Sequence, residues 1–181
     1  RSNGNLMCYD TEDTSVKTYN CLDHLNDIYI SHIGYSTEAK RLILVYDNGN
    51  IDLMDLDDNV ENIVSLKNST LGGKTVNDIC VEGKIAYLGT GFGFITIDMG
   101  EGVILNTYRL GVNVQAIKLI HGKIYIATDK GIYSSTEKNY HLLSNWDMQS
   151  DVGDYYKKIV TYSGNIYVLR GTSFYRLVNN T

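Results

Sequence analysis

The sequence predicts an all-β fold, a β-propeller of four-stranded antiparallel blades. Three observations predict it. A glycine-centred phrase recurs at Asn3-Gly4-Asn5-Leu6, Asn48-Gly49-Asn50-Ile51, Phe92-Gly93-Phe94-Ile95 and Lys130-Gly131-Ile132-Tyr133. Its glycines stand 45, 44 and 38 residues apart, and Ser173 of Gly171-Thr172-Ser173-Phe174 follows after another 42. A period of roughly 40 to 45 residues with strand-like content marks propeller blades. A second anchor keeps the same beat through Leu25-Asn26-Asp27-Ile28-Tyr29-Ile30, Val76-Asn77-Asp78-Ile79, Val114-Gln115-Ala116-Ile117 and Tyr156-Lys157-Lys158-Ile159. Composition agrees. The chain of 181 residues has 15 Tyr and no Pro, where average usage would give about nine prolines. Tyr suits pleated, half-buried surfaces, and closely paired strands cannot spare ladder donors to Pro.

Each element follows in order. Leu6 to Asp10 and Val16 to Tyr19 read as the third and fourth strands of a blade whose opening strands are missing. In each later unit a first strand runs into a turn: Ser36 to Lys40, Glu82-Gly83-Lys84, His121-Gly122-Lys123 or Ser163-Gly164-Asn165. Glycine accepts the positive φ that hairpin turns require. Second strands follow at Leu42 to Tyr46, Ile85 to Gly89, Ile124 to Thr128 and Ile166 to Arg170. Third strands are expected at Ile51 to Asp55, Phe94 to Asp98, Ile132 to Ser135 and Phe174 to Val178. More polar fourth strands are expected at Ile63 to Leu66, Val103 to Leu110 and near Tyr140 to Leu143. Only the outer strand of a radially stacked sheet meets water, so that polarity gradient fits. No segment sustains a 3.6-residue apolar spacing with caps.

The expected organisation is one propeller region over 1–181: a partial blade at 1–20, blades at 25–66, 76–110 and 114–143, and a last or partial blade at 156–178. If the two ends shared one blade, its third strand would occur twice. The sequence therefore reads as about four and a half consecutive blades of a larger propeller of about seven. Arg1 to Asn5 is polar and starts inside a repeat, which reads as a processed or truncated start.

Charge and composition exclude several function classes. A net charge of −5 with scattered bases lacks the footprint of a nucleic-acid binder. No apolar run is long enough to span a bilayer. Cys8, Cys21 and Cys80 form no CxxC motif; a Cys8–Cys21 bridge would need an oxidising compartment, and buried thiols are the plainer reading. His24, His32, His121 and His141 show no metal-ligand spacing. Asp55-Leu56-Asp57-Asp58-Asn59 clusters oxygen ligands but lacks the turn glycine and distal glutamate of a helix–loop–helix calcium loop. Gly89-Thr90-Gly91-Phe92-Gly93 is followed by a strand, not by the helix that a phosphate cradle needs. Ser134 to Tyr140 lacks the full Asp-box pattern. The expectation is no catalytic residue, no metal and no cofactor. Asn26-Asp27 and Asn77-Asp78 read as turn chemistry ahead of inner strands.

A surface is the better candidate. In a propeller, the loops leading into inner strands and the turns between second and third strands share one face at the channel mouth. Here that face carries Asp47, Asn48, Phe92, Asp129, Lys130, Arg170 and Thr172. The long connection Ser144 to Tyr155 would join it, bringing Trp146 and Tyr155. Trp146 has two readings, a binding hot spot or a plug between blades. On the first, Trp146→Ala and Phe92→Ala weaken binding and leave thermal stability nearly unchanged.

Several stretches resemble a known family. Asn3 to Asp10, the Asp13-Thr14-Ser15-Val16 hairpin and His24 to Ile33 look like two-component-regulator-type propeller repeats. Leu42-Ile43-Leu44-Val45-Tyr46-Asp47-Asn48-Gly49-Asn50-Ile51-Asp52-Leu53 is closest to the amino-terminal propeller of PorZ-type proteins of the type IX secretion system. Thr75 to Ile79, Tyr87 to Gly93 and Ala127 to Tyr133 keep the same register. His24 stands where the family usually has Gly. The resemblance implies a non-enzymatic extracytoplasmic module, in the periplasm or at the outer-membrane surface of a Gram-negative bacterium. It implies protein partners in a secretion or signalling complex, with surface polysaccharide a further suggested ligand. The alternative it implies is a carbohydrate-sensing periplasmic propeller of a hybrid two-component regulator. A glycan lyase or hydrolase would need converging carboxylates, and no sequence pair announces them.

Overall fold

In the computed structural model, which describes residues 5–136 and 140–177, seventeen strands form five antiparallel meanders that stack in chain order. A two-stranded sheet, β1 (Leu6–Tyr9) and β2 (Val16–Tyr19), comes first. Blade 1 holds β3 (Ile30–Ser36), β4 (Arg41–Tyr46), β5 (Ile51–Met54) and β6 (Val60–Ile63). One helical turn, α1 (Ser65–Asn68), leads to blade 2: β7 (Val76–Glu82), β8 (Ile85–Thr90), β9 (Gly93–Asp98) and β10 (Val103–Arg109). Blade 3 holds β11 (Val114–Ile120), β12 (Lys123–Thr128), β13 (Gly131–Ser135) and β14 (Asp147–Ser150). The last sheet has β15 (Tyr156–Tyr162), β16 (Asn165–Arg170) and β17 (Ser173–Leu177). The propeller architecture is the expected one. The Gly4 anchor, residues 137–139 and Val178 lie outside the described residues.

Four apolar cores lie between successive sheets, because alternate residues of every middle strand face opposite neighbours. Ile43, Val45, Ile51 and Leu53 of blade 1 meet Ala86, Leu88, Ile95 and Ile97 of blade 2. Phe94 and Tyr108 meet Ile124, Ile126 and Tyr133 of blade 3. Ala127 and Ile132 meet Ile159 and Val168 of the last sheet, and Leu44 and Tyr46 back onto Tyr19 and Leu25. At this packing, a stack rather than a single sheet supplies the burial.

Pairing corrects the expected register in three places. Ile30-Ser31-His32-Ile33, not Leu25 to Ile30, is equivalent to Val76-Asn77-Asp78-Ile79, because every inner strand has a bulge at this point: at Ser31, Asn77, Gln115 and Lys157. The preceding residues are instead held as a loop by buried Asp52, which accepts from the Asn26 backbone N–H at 2.9 Å and its side-chain amide at 3.0 Å. Next, the fourth strand of blade 3 is Asp147–Ser150, while Leu143, the end of the expected strand, begins a single 3₁₀ turn over Leu143–Asn145. That of blade 1 is Val60–Ile63, and Ser65–Asn68 beyond it is helical.

The repeated glycines also divide in two. Gly49 (φ +82°) sits in its turn and donates to the Tyr46 carbonyl at 3.0 Å. Gly93 (φ +141°) and Gly131 (φ +138°) open third strands, where a Cβ would collide with the carbonyl oxygens of Tyr108 and Ser150 on the fourth strands. Their job is close approach of backbones. Cys8 and Cys21 are free and exposed, and Cys80 is a free buried thiol.

Candidate functional site

The mouth face is braced by hydrogen bonds between each leading loop and the turn beside it. The Asp47 N–H donates to the Tyr29 carbonyl at 3.0 Å, and the Gly91 N–H to Gly73 at 2.8 Å. In blade 3 the bond is doubled: Asp129 N–H to the Asn113 carbonyl at 3.3 Å, and Asn113 N–H to Asp129 Oδ1 at 2.9 Å. In the last sheet Arg170 Nε lies 3.1 Å from Asp154 Oδ2, with its guanidinium over the Tyr175 ring at 4.9 Å. Asp47, Asn48, Phe92, Asp129, Lys130 and Arg170 thus occupy equivalent turns, beside the loops that lead inward.

What these side chains can do differs. Asn48 is a strut: its amide donates to Asp27 Oδ2 at 2.6 Å while its oxygen accepts from the Asn50 N–H at 2.9 Å. Asp27 also accepts from Lys67 Nζ at 2.9 Å. Burial works to raise its pKa, but the bonds from Asn48, Lys67 and the Ile28 N–H prevail and hold the carboxyl at about 2. Phe92 is half-buried against the core between blades 1 and 2. Lys130 is exposed, with its ammonium 3.3 Å from the Gly111 carbonyl. Tyr155 is 64% exposed.

Trp146 is not on this face. It is 6% exposed and closes the gap between blades 2 and 3, its ring 5.5 Å from Tyr140 and 6.0 Å edge-on to Phe94. The plug reading holds, and its indole N–H has no acceptor among the described residues. Tyr29 was missed. At 65% exposure it is a prominent aromatic of the blade 1 leading loop. The displaced anchor hid it by placing Tyr29 inside a strand; recognising the bulges would have revealed it.

Below the mouth, the bulges build a belt. A bulge re-aims side chains locally, and here those of Asn77 and Gln115 reach the next blade. Asn77 donates to the Val114 carbonyl at 2.9 Å, and Gln115 accepts from the Tyr156 N–H at 2.6 Å. The residue after each bulge is His32, Asp78, Ala116 or Lys158. Lys158 reaches past small Ala116 to pair with Asp78, whose other oxygen accepts from the Ile117 N–H at 3.1 Å. One buried carboxylate therefore ties three blades. His32 Nε2 lies 3.1 Å from the Asn77 carbonyl, and desolvation pushes its pKa down. Among the described residues no three His, Cys, Asp or Glu side chains converge to hold a metal, and no helix is long and apolar enough to cross a membrane.

Comparison with known proteins places this geometry in context. A family model described as the N-terminal β-propeller domain of PorZ, of the type IX secretion system, matches residues 1–147. No curated protein matches. Among solved structures, PorZ of Porphyromonas gingivalis, an essential bacterial surface component of that system, superposes with a TM-score of 0.78 at 28% identity, over 96% of this chain and 25% of that one. The extracellular domain of the putative one-component system BT4673 of B. thetaiotaomicron gives 0.77 at 16% identity, over 99% and 25%. That of the putative hybrid two-component system BT3049 gives 0.67 at 18%, over 96% and 24%. These two likenesses show the fold alone. The chain spans about a quarter of the length of all three structures.

Proposed function

We propose a function for this chain from its family, the N-terminal β-propeller domains of PorZ, to which it belongs. The chain is an extracytoplasmic, non-enzymatic interaction module that engages a protein partner across its mouth face. The observation that supports this reading most is the pairing of rigid loops with exposed aromatics: Tyr29 and Tyr155 stand on leading loops held by backbone bonds and ion pairs. Aromatic rings on a pre-organised scaffold supply contact area at low entropic cost. Asp129, Lys130, Asn48, Phe92 and Arg170 border them, and the similarity to a surface component of a secretion system favours a protein as the occupant.

The test is the double variant Tyr29→Ala with Tyr155→Ala, assayed by surface plasmon resonance against the other purified components of the secretion system. Association should weaken by about tenfold or more, with melting unchanged to within about 2 °C, as for exposed positions. Unchanged association would remove the mouth face from the account. A carbohydrate-sensing role is the second reading, favoured by the likeness to extracellular domains of regulators. Glycan binding that the double variant abolishes, with protein association intact, would select it. Turnover of a glycan by the purified chain would overturn the non-enzymatic reading.

A further inference from the structure

One turn of the mouth face carries reactive chemistry as well as a strut. Asn-Gly occurs twice in the chain, at Asn3-Gly4 and Asn48-Gly49, and the second pair lies among the described residues, in the turn between β4 and β5. The other described turns between second and third strands carry Gly91-Phe92, Asp129-Lys130 and Gly171-Thr172, none of which has Asn ahead of a glycine. A glycine after asparagine has no Cβ to shield its backbone nitrogen, so that nitrogen can approach the asparagine side-chain carbonyl carbon. Asn48 is exposed to water, while Gly49 is buried beside Leu66 and the Lys74 carbonyl.

Three hydrogen bonds act on the reacting atoms. The Asn50 N–H donates to Asn48 Oδ1 at 2.9 Å, which stabilises that oxygen as negative charge gathers on it during attack. The other two bonds hold the reaction back. The Gly49 N–H is engaged by the Tyr46 carbonyl at 3.0 Å, and the nitrogen must leave that bond before it can attack. Asn48 Nδ2 donates to Asp27 Oδ2 at 2.6 Å. This charge-assisted bond holds the side chain toward Asp27 and makes its nitrogen a poorer leaving group. Lys67 Nζ holds the same carboxylate oxygen at 2.9 Å.

We infer that Asn48 is a site of intramolecular deamidation restrained by Asp27, and that its conversion dismantles the strut under the blade 1 leading loop. The Gly49 nitrogen bonds to Asn48 Cγ, its proton leaves with the side-chain nitrogen as ammonia, and a cyclic imide closes. Water then adds to one imide carbonyl and a C–N bond breaks. Opening at the side-chain carbonyl leaves aspartate; opening at the main-chain carbonyl leaves isoaspartate. Aspartate sets a carboxylate against that of Asp27, so a donor is lost and a like charge gained. Isoaspartate removes the amide and adds a methylene to the main chain of the turn that sets Val45 opposite Ile51. The inference rests on this turn and is independent of what binds at the mouth face.

Peptide mapping by mass, on the full-length protein incubated at mildly alkaline pH, tests it, with the free peptide Tyr46–Leu53 as the unrestrained reference. Asn48 should convert about tenfold or more slowly in the protein than in the peptide, and about tenfold or more faster in Asp27→Ala than in wild type, the ratio for loss of one bond to a charged group. Asp27→Asn, which keeps the shape and removes the charge, should give part of that acceleration and serves where the Ala variant unfolds. Lys67→Met, which leaves Asp27 beside Asn48, should accelerate conversion less than Asp27→Ala does. Asn48→Asp, which imitates one product, should melt about 2 °C or more below wild type. A smaller ratio in either of the first two comparisons would overturn the inference. So would an acceleration that Lys67→Met matches, which indicates a loosened loop, or an Asn48→Asp protein that melts with wild type.

Discussion

Replacing Trp146 separates a scaffold residue from a binding residue more sharply than any other change in this chain. The indole lies 6% exposed among Phe94, Tyr108, Tyr140 and Tyr133 in the gap between blades 2 and 3. Trp146→Ala removes a large ring from a close-packed interior, at a cost of about 3 to 5 kcal/mol. For a chain of this size each kcal/mol lowers the melting temperature by about 2–4 °C, so a drop of roughly 6 to 20 °C follows. Trp146→Phe should cost much less than this. It leaves a smaller cavity and deletes an indole N–H that has no acceptor among the described residues, a group whose burial costs about 1 to 3 kcal/mol. Calorimetric melts of the three proteins, with partner association measured on the same samples below the lowest transition, decide the matter. The expected order of stability is wild type, then Phe, then Ala, with association retained by each folded variant. A Trp146→Ala protein that melts within about 2 °C of wild type yet loses association would refute the buried placement.

Other outcomes follow from the same packing. Gly93→Ala should destabilise by about 2 kcal/mol or more, because the Cβ meets the Tyr108 carbonyl at a φ of +141°; Gly164→Ala, in open space at φ +73°, should cost only about 1 kcal/mol, as denaturant melts would show. Lys158→Met should cost about 1 to 3 kcal/mol, less than a fully buried pair because the lysine is half exposed; Lys157→Met should cost almost nothing. Asp27 has a folded pKa of about 2, below its unfolded value. Its contribution is therefore present above about pH 4 and lost as the pH falls toward 2. The melting difference between wild type and Asp27→Asn should shrink from pH 6 to pH 2.5, and a constant difference would contradict that assignment.

Much of the fold was legible because strand pairing writes itself into alternation and turns. Ile85 to Gly89 and Ile124 to Thr128 are apolar runs bounded by glycine turns, and both are strands of the structure. The spacing of Gly93 and Gly131 was equally visible, though its cause was not: a fourth-strand carbonyl, distant in sequence, excludes a Cβ. Blade 1 misled at its start. Leu25 to Ile30 resembles an inner strand locally, and only the tertiary bonds from Asp52 to Asn26 make it a loop. That displacement hid Tyr29, the exposed aromatic of the candidate face. The fourth strand of blade 3 was obscured by its length of only four residues and its polar sequence, Asp-Met-Gln-Ser. Trp146 carries no local sign of which way it turns; the partners that bury it, Phe94 and Tyr140, come from other strands and loops. The belt of His32, Asp78, Ala116 and Lys158 needed the bulge positions, which are a property of pairing.

Site-specific photo-crosslinking in intact cells bears most directly on the mouth face as the partner surface. A photoreactive residue at position 29 or 155 samples that face, and one at position 163 samples the hairpin face opposite, where Ser163 begins the β15–β16 turn. The account predicts a discrete protein adduct from positions 29 and 155 and none from position 163. Adducts from position 163 alone would place the partner on the other side of the blades and contradict it.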